Sequence, residues 1–166
     1  MTERPSGYFD DLVVGTVSTS PRRTVTEADV VNFAGLSGDF NALHTDEITA
    51  ASSPFGTRIA HGLLGTAIAS GLFTRTALSV SMQDSLIALL GVDCRFVKPL
   101  RIGDTVHVEA EIMQLRPTSD PGRGVAVLER RLIDHEGTVV QVITTPMLVY
   151  TRESHLKESR VHDHLE

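Results

Sequence analysis

The chain has 166 residues, 41 % apolar and 22 % charged, a length that suits one domain with a real core and a composition too hydrophobic for a disordered chain. Fifteen Lys and Arg against 21 Asp and Glu leave a net charge of -6 with His neutral, which offers no basic face to nucleic acid. The single cysteine, Cys94, excludes an internal disulfide and a multi-cysteine zinc site and suits a reducing cytoplasm.

The first ten residues are polar and carry no apolar signal core. Residues 12–18 read as a first strand that ends before Pro21. Thr26 then has the chemistry of a helix N-cap, and Asp29, three residues on, completes a capping box with Asp in place of Glu. Val30, Val31, Phe33 and Ala34 follow at helical spacing, and Gly35 and Gly38 are expected to stop that helix. Residues 36–54 are polar and loop-like, with a helical turn expected near 46–51.

The most apolar helix is expected over 61–78, with Leu63, Leu64, Ala67, Ile68, Leu72 and Phe73 surrounding it and burying it in the centre of the fold. Its apolar run is interrupted by His61, Gly62, Gly65 and Thr66 and is too short to span a bilayer, so no membrane insertion is expected. From residue 86 onward the chain reads as strands over 86–97, 104–116, 123–134 and 138–150. Val106, Val108, Ala110 and Ile112 alternate with His107, Glu109 and Glu111, the pattern of a half-buried strand. Gly103-Asp104 marks a turn, and Asp134-His135-Glu136-Gly137 a hairpin connection. A central helix followed by long antiparallel strands gives an α+β domain whose sheet curls around the helix. One domain is expected over 1–151, followed by a charged, mobile tail over 152–166.

Two segments carry candidate chemistry. Ser37-Gly38-Asp39-Phe40-Asn41-Ala42-Leu43-His44 places a carboxylate, an amide and an imidazole within six residues of loop. Asp and His together can move protons near neutral pH; alternatively, Asp39 caps the next turn and His44 fills a polar pocket. In Arg58-Ile59-Ala60-His61-Gly62-Leu63, a helix starting at His61 or Gly62 would present unpaired N–H groups at its positive end. Those donors suit an oxygen that gains negative charge, and Gly62 permits close approach; plain helix initiation reads equally from the residues. His61 reads as structural rather than catalytic.

The first of these segments, extended over residues 33–46, resembles the Gly-Asp-x-Asn-Pro-x-His signature of MaoC-like dehydratases and (R)-specific enoyl-CoA hydratases. Pro54-Phe55-Gly56, Ile59-Ala60-His61-Gly62-Leu63-Leu64 and Ser70-Gly71 resemble that family's central-helix start, and Phe96-Val97-Lys98-Pro99-Leu100 with Gly103-Asp104 supplies a third match. The resemblance covers residues 8–150. It departs at Ala42, where the family usually has Pro. It implies a hotdog fold, a curved antiparallel sheet wrapped around a long central helix, in a homodimer or larger assembly with the acyl-CoA site near the subunit interface. It further implies reversible addition of water to a 2-enoyl thioester, with no cofactor beyond the coenzyme A of the substrate and no metal. Asp39 and His44 take the family's proton-transfer positions, the Gly62 N–H its oxyanion donor, Ser70 its polar helix position, and Asn41 the place of a loop-holding residue. One oxyanion donor lowers a barrier by about 3–4 kcal/mol. Arg95, Lys98 and Arg101 either meet the phosphates of CoA or form a solvated strand end. His155, His162 and His164 read as part of a solvated tail. A hotdog thioesterase and a non-catalytic acyl-CoA-binding hotdog subunit are the competing readings; the Asp-x-Asn-x-x-His loop favours hydration.

Overall fold

The computed structural model describes residues 7–154. A short 3-10 turn at Phe9–Asp11 leads to strands β1 (Val17–Thr19) and β2 (Arg23–Thr24). The first strand therefore starts later than the apolar run suggested, because Gly15 takes a left-handed turn (φ 84°) ahead of it. Helix α1 (Glu27–Ser37) begins as expected: the Thr26 side chain accepts from the Asp29 N–H, and the Asp29 carboxylate accepts from the Thr26 N–H. It runs through Gly35 and stops at Gly38, whose φ of 75° puts it in the left-handed region. The polar stretch that follows holds two short helices, α2 (Ala42–Thr45) and α3 (Glu47–Ala51).

The central helix is split. Helix α4 covers Gly62–Phe73, and a separate α5 covers Ala77–Ser81. Thr76 explains the break, since its hydroxyl accepts from the Ser79 N–H and starts a new helix. Leu64, Gly65, Ile68, Ala69, Leu72 and Phe73 of α4 are buried, a stripe at helical spacing along one side. Leu63, by contrast, is 64 % exposed, so α4 is not enclosed on all sides.

Three long strands receive that stripe: β5 (Thr105–Pro117), β6 (Arg123–Ile133) and β7 (Val139–Tyr150). Each contacts α4. The expected strand over 86–97 is two, β3 (Leu86–Leu89) and β4 (Asp93–Phe96), which both pair with β7 and are separated by Leu90-Gly91-Val92. The path runs β1-β5-β6-β7-β3, with β2 on β5 and β4 on β7, all antiparallel. Val106, Val108, Ala110 and Ile112 are fully buried, as their alternation required, and each large apolar side chain so buried contributes about 1.5–3 kcal/mol. Gly137, with φ 85°, closes the expected β6–β7 hairpin.

Arg130 of β6 is buried, with its guanidinium 4.8 Å from the Phe73 ring at the C-terminal end of α4. Burial pushes it down to about 10, while the negative end of the helix dipole favours a cation there. Arg152, the first residue of the expected tail, donates to Asp10 and Asp11 and so is tied back to the domain. The remainder of that tail from His155, including His162 and His164, lies outside the described residues. Among the described residues no helix is long and apolar enough to cross a membrane.

Candidate active site

The catalytic-type residues arrive by short-range structure. Ser37 and Gly38 end α1, and the chain then turns so that the Asp39 carboxylate accepts from the Asn41 N–H at 3.2 Å. Asn41 caps α2, its side-chain oxygen accepting from the Leu43 N–H at 3.0 Å. His44 therefore sits on a helix barely one turn long, held at its start by Asn41, the loop-holding task expected of that residue.

The opposite wall is residues 57–62. The Ile59 N–H donates to the Leu43 carbonyl at 3.1 Å, and the Ile59 carbonyl lies 2.8 Å from His44 Nδ1. A carbonyl only accepts, so Nδ1 carries the hydrogen and the neutral ring keeps its lone pair on Nε2. Asp39, His44 and His61 each bring one donor atom to within 4.8 Å of the other two, a spacing that one water molecule can bridge. Arg58 braces this wall: its guanidinium donates to both Glu27 oxygens at 2.6 and 2.9 Å, and to Glu47 at 2.9 Å. It thus ties α1 to α3 across the loop, and its hydrogen bonds, with its charge, hold both carboxyls below their ordinary range.

Gly62 opens α4, so its N–H has no partner within the helix, and none is found among the described residues. Phe96 packs against it closely enough that a Cβ there would lie 2.8 Å from the ring. Glycine is needed here for that contact as well as for any substrate. The Gly62 carbonyl accepts from Gln141 Nε2 at 2.9 Å. Gln141 is 1 % exposed and is reached because Gly65 leaves it room: a Cβ at 65 would fall 2.3 Å from the amide nitrogen.

A cavity of about 320 Å³ is lined by His44, Ile59, Gly62, Phe96, Lys98 and Gln141 among others. It brings His44, Gly62 and one cation to one space, whereas Asp39 and Asn41, both exposed on the loop, are not among its lining residues. Other expected residues stay apart from it. Ser70 is exposed on α4 and does not line the cavity, and neither do Leu63 and Ala67, so the slot does not continue along the helix in the single chain. Arg95 and Arg101 are exposed and outside the lining; Lys98 alone of the three cations borders it. Gln141 escaped the sequence reading. It lies in an apolar strand run where two consecutive residues, Val140 and Gln141, are buried beside a register shift, so alternation did not mark it.

Among the described residues, Asp39, His44 and His61 are the group with metal-ligand chemistry. His44 Nδ1 and His61 Nε2 are both engaged with backbone carbonyls, and the two ring centroids lie 3.8 Å apart with the planes tilted by 32°.

A family model described as "MaoC like domain" matches residues 11–129. Over 102 residues the chain is 43 % identical to Protein MaoC of Klebsiella aerogenes, covering 61 % of this chain and 29 % of that protein. Over 110 residues it is 37 % identical to a 3-hydroxybutyryl-CoA dehydratase of Methylorubrum extorquens, 66 % of either chain. It is 36 % identical to an (R)-specific enoyl-CoA hydratase of Rhodospirillum rubrum, covering 66 % of this chain and 72 % of that one. The chain thus spans under two thirds of the first two of these relatives. In structure it is similar to a MaoC-like dehydratase from Rhodospirillum rubrum, with TM-score 0.77, 30 % identity and coverage of 87 % and 97 %. A Mycobacterium tuberculosis protein with a double hotdog fold matches at TM-score 0.70 and 24 % identity, over 89 % of this chain and 45 % of that one. The fold is accordingly the hotdog of the α+β class.

Proposed function

This chain belongs to the family of MaoC-like domains, and from that premise we propose that it is an (R)-specific enoyl-CoA hydratase, working reversibly as a 3-hydroxyacyl-CoA dehydratase. The observation that carries the reading is the grouping around His44: its ring lines the cavity together with Gly62, whose N–H is unpaired among the described residues, and the Asp39 carboxylate, outside the lining, brings an oxygen within 4.8 Å of a His44 ring nitrogen. The relatives named for hydration and dehydration of CoA thioesters support the same chemistry.

The reaction then runs as follows. The thioester oxygen rests on the Gly62 N–H, which polarises the conjugated double bond. One water sits between His44 Nε2 and Asp39. His44 takes a proton from it as the oxygen bonds to C3, and the electron pair of the double bond moves into the enolate. The Asp39 carboxylate accepts a hydrogen bond from the water's other O–H, which stays intact, and offsets the imidazolium charge. The imidazolium then returns its proton to C2. An O–H bond breaks, C3–O and C2–H bonds form on one face, and the enzyme ends unchanged. Lys98 at the cavity rim is the cation best placed to meet CoA phosphate.

Asp39→Asn and His44→Ala are each expected to lower kcat by about a hundredfold or more while the protein stays folded. The double variant should be little worse than the worse single one, because the two groups act as a unit. Loss of the conjugated enoyl absorbance over enoyl-CoAs of graded length and branching measures this. Near wild-type kcat in either variant would remove the pair from the mechanism.

The assembly proposed with this function is a homodimer. Leu86, Leu89, Leu90, Val92, Phe96 and Val97 form an exposed apolar strip along β3 and β4, the sheet edge that in a single chain is left without a strand partner. Its lower end adjoins the cavity through Phe96 and Val97, so a second copy would cover the edge and complete the site.

A further inference from the structure

His61 is 2 % exposed and immediately precedes α4, yet its side chain does not cap that helix. Its Nε2 lies 2.9 Å from the backbone carbonyl oxygen of Asp39. Its ring centroid is 3.8 Å from that of His44, with the planes tilted by 32°, and 5.0 Å from that of Phe33. One buried side chain therefore touches both residues of the proton-transfer pair and is joined by the backbone to Gly62.

We propose that His61 is a positioning residue for the hydration, pinning the Asp39 backbone through its Nε2–H and setting the plane of the His44 ring by stacking. This rests on the roles given to Asp39 and His44 above.

The hydrogen-bond chemistry allows one arrangement. The Asp39 carbonyl can only accept, so His61 Nε2 carries a hydrogen. The neutral ring then holds its lone pair on Nδ1, an atom that is buried and has no partner. The His61 backbone carbonyl accepts from the Gly65 N–H at 3.2 Å, so α4 anchors it in turn. A residue that filled this space for packing alone would need no nitrogen at the ε2 position. Asp39 is itself exposed on a loop, and its backbone gains a fixed point from the buried ring. Displacing a reacting group by about 1 Å costs on the order of a hundredfold in rate, so the loss of that fixed point is measurable.

Two variants separate positioning from packing. His61→Phe keeps a ring against Phe33 and His44 but removes the donor; His61→Gln restores an N–H at a similar reach without the ring. The expected result is a kcat lowered about 10- to 100-fold in His61→Phe, with KM little changed and the thermal midpoint retained, and a partial recovery of kcat in His61→Gln. Wild-type kcat in His61→Phe, or a Gln variant no better than Phe, would overturn the proposal. Should both variants fail to fold, imidazole 15N–1H correlation spectra of the wild-type protein decide: a neutral Nε2–H tautomer supports the contact and an Nδ1–H tautomer refutes it. If the wild-type protein hydrates no enoyl-CoA, the functional reading fails, whereas the spectra still test the His61 contact.

Discussion

Position 42 shows how much one backbone site can tell. Ala42 occupies the first helical residue of α2, and Asn41 before it has φ −55° and ψ 137°. A first-turn N–H has no intrahelical partner, so proline there forfeits nothing, and the preceding residue already has the extended geometry that proline demands. Ala42→Pro, the residue usual in the family's signature, is therefore expected to raise stability by about 0.4–1 kcal/mol through the unfolded state. Hydratase activity should be unchanged, since neither Asp39 nor His44 moves. Urea denaturation of the two proteins side by side measures the gain; a destabilised variant would mean that the α2 start is more constrained than its dihedrals imply. The contrast with position 62 is instructive. Ala42 is half-buried at the start of α2, but at 62 any side chain meets the Phe96 ring.

Among elements, the Arg58 clamp does for α1 and α3 what a covalent tie would do. Glu27 and Glu47 lie 20 residues apart in sequence, on helices either side of the Asp39–His44 loop, and share one guanidinium. The Arg58 hydrogen bonds are the largest influence on both carboxyls and hold them below the ordinary value of 4.5. Groups with folded values below their unfolded ones stabilise the fold above the unfolded value, and that contribution disappears as pH falls through the folded value. Arg58→Gln should thus be less stable than wild type near neutrality, and the two denaturation midpoints should converge as pH drops below about 4.5. A gap that stayed constant from pH 7 to pH 3 would show that the clamp contributes nothing electrostatic. Salt should narrow the gap near neutrality, because all three side chains are partly solvated.

For the whole molecule, the exposed apolar strip on β3 and β4 is what a single chain leaves unfinished. Six large apolar side chains on a sheet edge are a standing invitation to association. Leu90→Asp is expected to shift a dimer toward monomer in sedimentation velocity and to cut hydratase activity with it, since Phe96 and Val97 belong both to the strip and to the cavity lining. A variant that sedimented as wild type would place the interface elsewhere. The same view accounts for Ser70: it lies on the solvent-facing side of α4 in one chain, so any part it plays in a site requires a second copy beside it.

The order of elements, the α1 cap, the buried alternation of β5 and the Asp39–His44 loop were legible in the sequence because each depends on neighbours a few residues away. A capping box spans three residues, a strand face has period two, and the loop brings its two side chains together within six residues. Where the reading stopped short, the cause lay in contacts between distant segments. Thr76 divided the central helix by capping α5, a choice that only the packing of α5 makes worthwhile. The β3–β4 break, the Gln141 hydrogen bond to Gly62, the Arg58 bridge and the His61 contact with Asp39 join residues from 11 to 79 positions apart. No local pattern encodes which partner a buried amide or imidazole will find. That is decided by the geometry of the folded core, where an unsatisfied polar group costs about 1–3 kcal/mol and the chain settles where such groups find partners.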